Sequence, residues 1–232
     1  MMTELVFVPG LLCTSLLWEH QILHLRDLAN ITVADVTGVD SIEAMADAVL
    51  ATSPPKFALC GLSMGGIVAH EIMRQAPQRV EKLALLDTNA RADTPEQTER
   101  RHGLLAMADR GEFAGVTMAL IPALVHSSRV KDASLIMRTC AMAAAVGAEA
   151  FHRQVTAIIN RQESLSILSS YACPTLILCG REDAITPLEM HEEMADRIKN
   201  SELAIIEECG HLATMERPHA VTALLRQWLL YS

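Results

Sequence analysis

The chain has 232 residues, 50% of them hydrophobic, and a formal net charge of -9. A chain of that length and apolarity can bury one good core, so a single globular domain with room for an inserted segment is expected, and a disordered or fibrous chain is excluded. The acidic balance, with no Lys/Arg-rich run interleaved with aromatics, excludes a nucleic-acid partner, because phosphate binding needs a concentrated positive field.

The first apolar run, residues 5–8, is strand-like and is ended by Pro9-Gly10 before a signal-peptide core can form; no basic leader precedes it. No apolar run reaches the roughly 18 to 20 residues of a membrane span. A soluble, cytoplasmic protein with no membrane partner is expected. Helical spacing follows at 16–28, a second strand at 31–34, a helix at 42–50, a third strand at 57–60, a helix at 65–75 and a fourth strand at 83–86. After a long interval come a strand at 176–179, a helix at 187–198, a strand at 203–206 and a helix at 218–230. The strand-like runs are continuously apolar rather than alternating, which suits a parallel sheet covered on both faces. Strand and helix alternate, the pattern of an α/β fold. The exception is 91–170, rich in Ala, Met and Leu, helical in period and without a convincing strand. It reads as a helical cap inserted between core segments 1–90 and 171–232, over the carboxyl ends of the strands, where open α/β sheets bind ligands. The six cysteines, at 13, 60, 140, 173, 179 and 209, form no C-x-x-C pair and read as buried free thiols.

The strongest local signal is Gly61-Leu62-Ser63-Met64-Gly65, directly after the third strand and directly before a helix. A serine on a sharp strand-to-helix turn exposes its hydroxyl, and the flanking glycines keep side chains from colliding there. The helix that begins here has unpaired N–H groups at its start, so the Met64 N–H is placed to receive an oxyanion. In the loop after the first strand, the Leu11 N–H next to Gly10 is the second candidate donor. A serine hydroxyl needs a base, at neutral pH first of all a histidine. Of nine histidines, His211 stands out because it lies just past the last strand, in Glu207-Glu208-Cys209-Gly210-His211. His20, His24, His70 and His191 fall inside helical stretches and read as surface or packing residues. A carboxylate must hold the base. Asp183 in Gly180-Arg181-Glu182-Asp183 is preferred for its flexible loop, with Asp87 at the end of the fourth strand as competitor; Glu182 and Glu207 read as solvated charges.

The order Ser63, Asp183, His211 is that of the α/β hydrolases, and the chain resembles that superfamily over nearly its whole length outside 91–170. Asp35-Val36-Thr37-Gly38 leading to Ser41 resembles a shortened form of the family's D-x-x-G-x-G-x-S loop, and Ala76-Pro77-Gln78-Arg79-Val80 its H-P-x-R-V stretch. Gly180-Arg181-Glu182-Asp183 with Pro187, and Gly210-His211 with Glu216-Arg217-Pro218, match its acid and base segments. The resemblance implies catalytic Ser63, Asp183 and His211, oxyanion donors at Leu11 and Met64, and a reduced doubly wound sheet of about six parallel strands, since the chain starts at what resembles the family's third strand. One departure is Pro9-Gly10 where the commonest version has His-Gly, so a side chain that steadies the oxyanion loop is missing.

A serine at this turn separates the chain from branches that use aspartate there. The activity implied is hydrolysis of a small apolar carboxylic ester, thioester or lactone, as in the small bacterial esterases that include carrier-protein methyl esterases and lactonases, with neither metal nor cofactor. Serine-dependent cleavage of a carbon-carbon bond in a diketone, and a receptor role that keeps the triad, stay open as alternatives. Leu12, Met107, Met118, Leu124 and Leu212 are the expected pocket wall.

Overall fold

A computed structural model describes residues 2–231. All six expected strands form: β1 (Thr3–Val8), β2 (Ala29–Val33), β3 (Phe57–Leu62), β4 (Val80–Leu86), β5 (Thr175–Gly180) and β6 (Ser201–Ile206). They make one parallel sheet in the order β2-β1-β3-β4-β5-β6. The order reverses between β1 and β3, and the crevice beyond their carboxyl ends is where a doubly wound sheet offers a binding site.

The continuous apolarity of the strands follows from burial on both faces. Leu5 and Phe7 of β1, with Cys60, Leu62, Leu86 and Leu178, meet Trp18, Leu25, Val221 and Trp228 on one side. Val6 and Val8, with Leu59, Leu83, Leu85 and Ile177, meet Met45, Val49, Val68, Ile72 and Met194 on the other. The first face is covered by α1 (Glu19–Leu25) and α9 (Pro218–Tyr231), and the second by α2 (Ile42–Thr52), α3 (Met64–Gln75) and a later helix, Leu188–Arg197. Trp18 stacks on Phe7 with ring centroids 4.3 Å apart.

The motif residues around the sheet act locally. Asp35 accepts hydrogen bonds from the Thr37 N–H and hydroxyl at 2.9 and 2.6 Å, closing the turn after β2, and Ser41 caps α2 through the Ala44 N–H. The Arg79 guanidinium donates to the carbonyls of Leu50, Ser53, Pro54 and Pro55 and lies 5.6 Å from the Phe57 ring centroid. It thereby fixes the chain that enters β3.

Between β4 and β5 the chain leaves the sheet for α4 (Pro95–Asp109), α5 (Ile121–Leu124) and α6 (Ala133–Ile159). A reciprocal capping box between Thr94 and Gln97 starts α4, and Asp132 caps α6 through the Leu135 N–H. The two roots of the excursion are fastened together: Arg161 pairs with Asp93 at 2.8 Å with both side chains buried, and its Nε donates to the Arg91 carbonyl. By length and composition α6 is apolar enough to cross a membrane, with mean hydropathy 1.2 over an 18-residue window. It is interrupted at Gly147 (φ 77°, ψ 173°), and its Leu135, Met142 and Ile158 pack into the same clusters as the sheet. The chain then returns through β5, α7 (Leu188–Arg197), β6, α8 (Ala213–Glu216) and α9.

Two glycine substitutions separate close approach from propensity. Gly65→Ala drives a Cβ into the Val8 carbonyl at the end of β1, and we expect a loss of about 3 kcal/mol. Gly103→Ala, on the exposed side of α4 with nothing within 4 Å, should add about 1 kcal/mol. Urea unfolding of both variants checks the pair, and equal midpoints would contradict the close approach.

Candidate active site

Ser63 sits at the junction of β3 and α3 with φ 55° and ψ -118°, a backbone region that residues with a side chain rarely occupy. The surroundings enforce it. A Cβ on Gly61 would meet the Gly65 carbonyl, so no larger residue fits the turn. The Ser63 N–H donates to the Leu86 carbonyl at 3.0 Å, and the Thr88 hydroxyl donates to the Ser63 carbonyl at 2.7 Å. The side chain is thereby pushed beyond the strand ends, half-buried.

The structure brings the three separated residues together. Ser63 Oγ lies 2.9 Å from His211 Nε2, and His211 Nδ1 lies 2.8 Å from Asp183 Oδ2. Asp183 also accepts the Thr186 hydroxyl on Oδ2 at 2.6 Å and the Ile185 and Thr186 N–H groups on Oδ1 at 2.8 and 3.0 Å. Burial pushes the Asp183 carboxyl up, but His211 and the Thr186 donors outweigh it and hold the group below its ordinary value. An ionised Asp183 accepts a hydrogen bond from the His211 Nδ1–H, which leaves the Nε2 lone pair for the serine hydroxyl.

Asp87, the competitor, does not reach His211. Its Oδ1 accepts the Gly180 N–H at 3.0 Å and its Oδ2 the Ala213 N–H at 3.2 Å, so it ties the acid loop to the base loop from beneath. Burial, then the charge of Asp183, pushes its carboxyl well above the ordinary value. Glu207 is a solvated charge paired with Arg181. Glu182 is exposed as well, and it also accepts the Cys209 N–H at 3.0 Å, which joins the loops that carry Asp183 and His211. His191 is fully buried, its Nε2 accepting the Thr88 N–H at 3.0 Å, and burial lowers its ring to about 4.

The base loop is held by Glu216, buried at 1% exposure. Its Oε1 accepts the N–H groups of Gly210 and Leu212, on either side of His211, at 3.0 and 3.3 Å, and its Oε2 accepts the His126 N–H at 2.7 Å. The His211 N–H itself donates to the Leu124 carbonyl at 3.1 Å. Residues 124–126 of the helical excursion are therefore part of the support of the histidine. On the other side of the serine, Gly10 comes so close that a Cβ there would lie 3.3 Å from the Ser63 Cβ. Among the described residues neither the Leu11 nor the Met64 N–H is engaged with another acceptor.

Leu12 and Leu212 are buried and Leu124 is half-buried. Met107 and Met118 depart from the expected wall, being 44% and 62% exposed. On α4 the inward stripe is Leu105 and Ala108, three apart, and Met107 points away from it. The apolar layer against Leu11 and Leu12 is instead built from Phe113, Val116, Phe151 and Val155. A cavity of about 790 Å³ opens elsewhere, between residues such as Leu16, His20, Arg129 and Leu135, and neither Ser63 nor His211 lines it.

Comparisons with known proteins agree with this fold. The profile of the family described as alpha/beta hydrolase fold matches residues 4–218. The pimeloyl-[acyl-carrier protein] methyl ester esterase of Nitrosomonas europaea is 24% identical over 229 residues, 93% of this chain and 91% of that one. The protein of the same name from Neisseria meningitidis serogroup A is 30% identical over 194 residues, 81% of this chain and 62% of that one. Among solved structures, a thermophilic esterase from Thermogutta terrifontis is similar with a TM-score of 0.89 at 32% identity, covering 98% of this chain and 89% of that chain.

The Thr186 hydroxyl offers a test of the charge on Asp183. Because the folded carboxyl lies below its unfolded value, its ionised form adds stability that is complete above about pH 4 and is lost as pH falls through the folded value. Thr186→Val removes the 2.6 Å donor and should cost about 2 kcal/mol at pH 7, a difference that shrinks below about pH 3. Urea midpoints at the two pH values measure it, and an unchanged difference would contradict the assignment.

Proposed function

The chain belongs to the alpha/beta hydrolase fold family, and from that premise we propose that it is a carboxylic ester hydrolase with Ser63 as nucleophile, His211 as general base and Asp183 as the acid that orients the base. The observation that carries the reading is the continuous chain of contacts from Ser63 Oγ through His211 to Asp183, 2.9 and 2.8 Å. Ser63 Oγ attacks the ester carbonyl carbon while His211 Nε2 takes its proton. The N–H groups of Leu11 and Met64 receive the oxyanion, and the first turn of α3 adds its positive end. The imidazolium then protonates the departing alkoxide. Water, deprotonated by His211, attacks the acyl-enzyme and releases the carboxylate and free serine.

The same reading makes 91–170 a cap over the site. The acyl chain lies against Leu12, Leu124 and Leu212 with the layer of Phe113, Phe151 and Val155, so the preferred substrate is a small apolar ester. The similarity to methyl ester esterases and to an esterase at 32% identity supports ester over carbon-carbon cleavage. The enzyme works without metal or cofactor and acts in the cytoplasm, a setting that the six free cysteines support.

Hydrolysis of nitrophenyl esters from acetate to decanoate tests the proposal. We expect one preferred chain length, and in Ser63→Ala a fall in kcat/KM of about 10⁴ or more with the fold retained. Wild-type rates in that variant would overturn the mechanism, and an inactive wild type would redirect it to carbon-carbon cleavage or a receptor role.

A further inference from the structure

The oxyanion loop has no polar side chain of its own to steady it. Val8, Pro9 and Gly10 lead to two leucines, and Leu12 is held at φ 59°, a left-handed conformation that a leucine keeps only where its neighbours impose it. The neighbour is Gln154, on α6 and fully buried. Its Oε1 accepts the Leu12 N–H at 3.1 Å, and its Nε2 donates to the Val36 carbonyl at 3.4 Å. The amide group thus bridges the loops after β1 and β2 from a helix 142 residues away in sequence. Phe151 and Val155 of the same helix pack in one cluster with Leu11 and Leu12.

The Leu12 N–H is committed to Gln154, and the candidate donor of this loop is the N–H of Leu11, next to the glycine that approaches the Ser63 Cβ. We infer that Gln154 is the positioning residue of the oxyanion hole: by fixing the peptide at Leu12 it aims the Leu11 N–H at the oxygen of the tetrahedral intermediate. The inference rests on the reading of Ser63 as nucleophile. It assigns to a side chain of the helical excursion the steadying role that the Pro9-Gly10 sequence leaves empty. A purely structural Gln154 would fill a buried polar position between α6 and the sheet and would leave transition-state binding untouched.

The two roles separate in Gln154→Met, similar in length but without the acceptor, and in Gln154→Glu, which when protonated keeps both an acceptor for Leu12 and a donor for Val36. Nitrophenyl acetate turnover is measured beside inhibition by an aliphatic trifluoromethyl ketone. In the inhibitor adduct Ser63 Oγ bonds to the carbonyl carbon, the serine proton passes to His211, and the carbonyl electron pair becomes an oxyanion. In Gln154→Met we expect kcat to fall about 10- to 100-fold, the ketone to bind weaker by the same factor, and KM to stay within about twofold. In Gln154→Glu the loss should be several-fold smaller at pH 6 than at pH 8, since burial favours the protonated form. The role is overturned if Gln154→Met raises KM with kcat unchanged, if the ketone binds as in the wild type, or if the Glu variant shows no dependence on pH beyond the wild type's own. A wild type that neither turns over the ester nor binds the ketone would overturn the Ser63 reading itself, and the positioning role with it.

Discussion

The site depends on one strained turn. Ser63 holds φ 55° because the end of β1 lies against α3 so closely that Gly65 cannot carry a side chain without meeting the Val8 carbonyl. That contact sets the distance between the loop after β1 and the loop after β3, the two loops at the switch point of the sheet. It keeps Gly10, beside Leu11, against Ser63. Backbone strain of about 1 to 3 kcal/mol per such residue persists only in a structure that over-determines it. Here two strands buried on both faces and the Thr88 bond to the Ser63 carbonyl supply that constraint.

The second constraint comes from outside the sheet. The helical excursion touches both halves of the site through backbone-directed hydrogen bonds: Gln154 on the Leu12 N–H, Glu216 on the His126 N–H, and the Leu124 carbonyl on the His211 N–H. These are buried polar contacts, each costly to leave unmade. The segment whose Phe151 and Val155 pack against Leu11 and Leu12 is therefore also the segment that holds the loops around His211 and Leu12 in register. In the proposed reading, changes in its packing are transmitted to Ser63 and His211 without any change in those residues themselves.

Much of this was legible in the sequence because it is written in local patterns. Continuous apolar runs placed all six strands, and the glycines around Ser63 marked the turn from the collisions they avoid. Gly180 and Gly210 likewise framed the loops that carry Asp183 and His211. The choice between Asp183 and Asp87 rested on loop length, and the contacts to Thr186 and His211 now favour Asp183 on geometry. What local pattern could not supply was the partner of each loop. Gln154 is one polar residue in the apolar stripe of α6, beside Phe151, Val155 and Ile158. That break in period was the available signal, but the identity of its partner is set by a contact across 142 residues. Residue type alone puts Met107 and Met118 in the wall, whereas the phase of α4 turns Leu105 and Ala108 inward instead of Met107, and Met118, in the stretch after α4, is exposed. Glu216 stood in a recognised motif, yet its grip on three N–H groups exists only once the excursion has folded back.

In the proposed reaction one serine, made nucleophilic by His211, forms a covalent acyl-enzyme. The most direct measurement is reaction of the native protein with an alkyl fluorophosphonate, with the adduct mapped by peptide mass spectrometry. A single adduct on Ser63 is expected, lost in Asp183→Ala and in His211→Ala without loss of fold. An adduct on another residue, or labelling of Ser63 at the same rate in those variants, would contradict it.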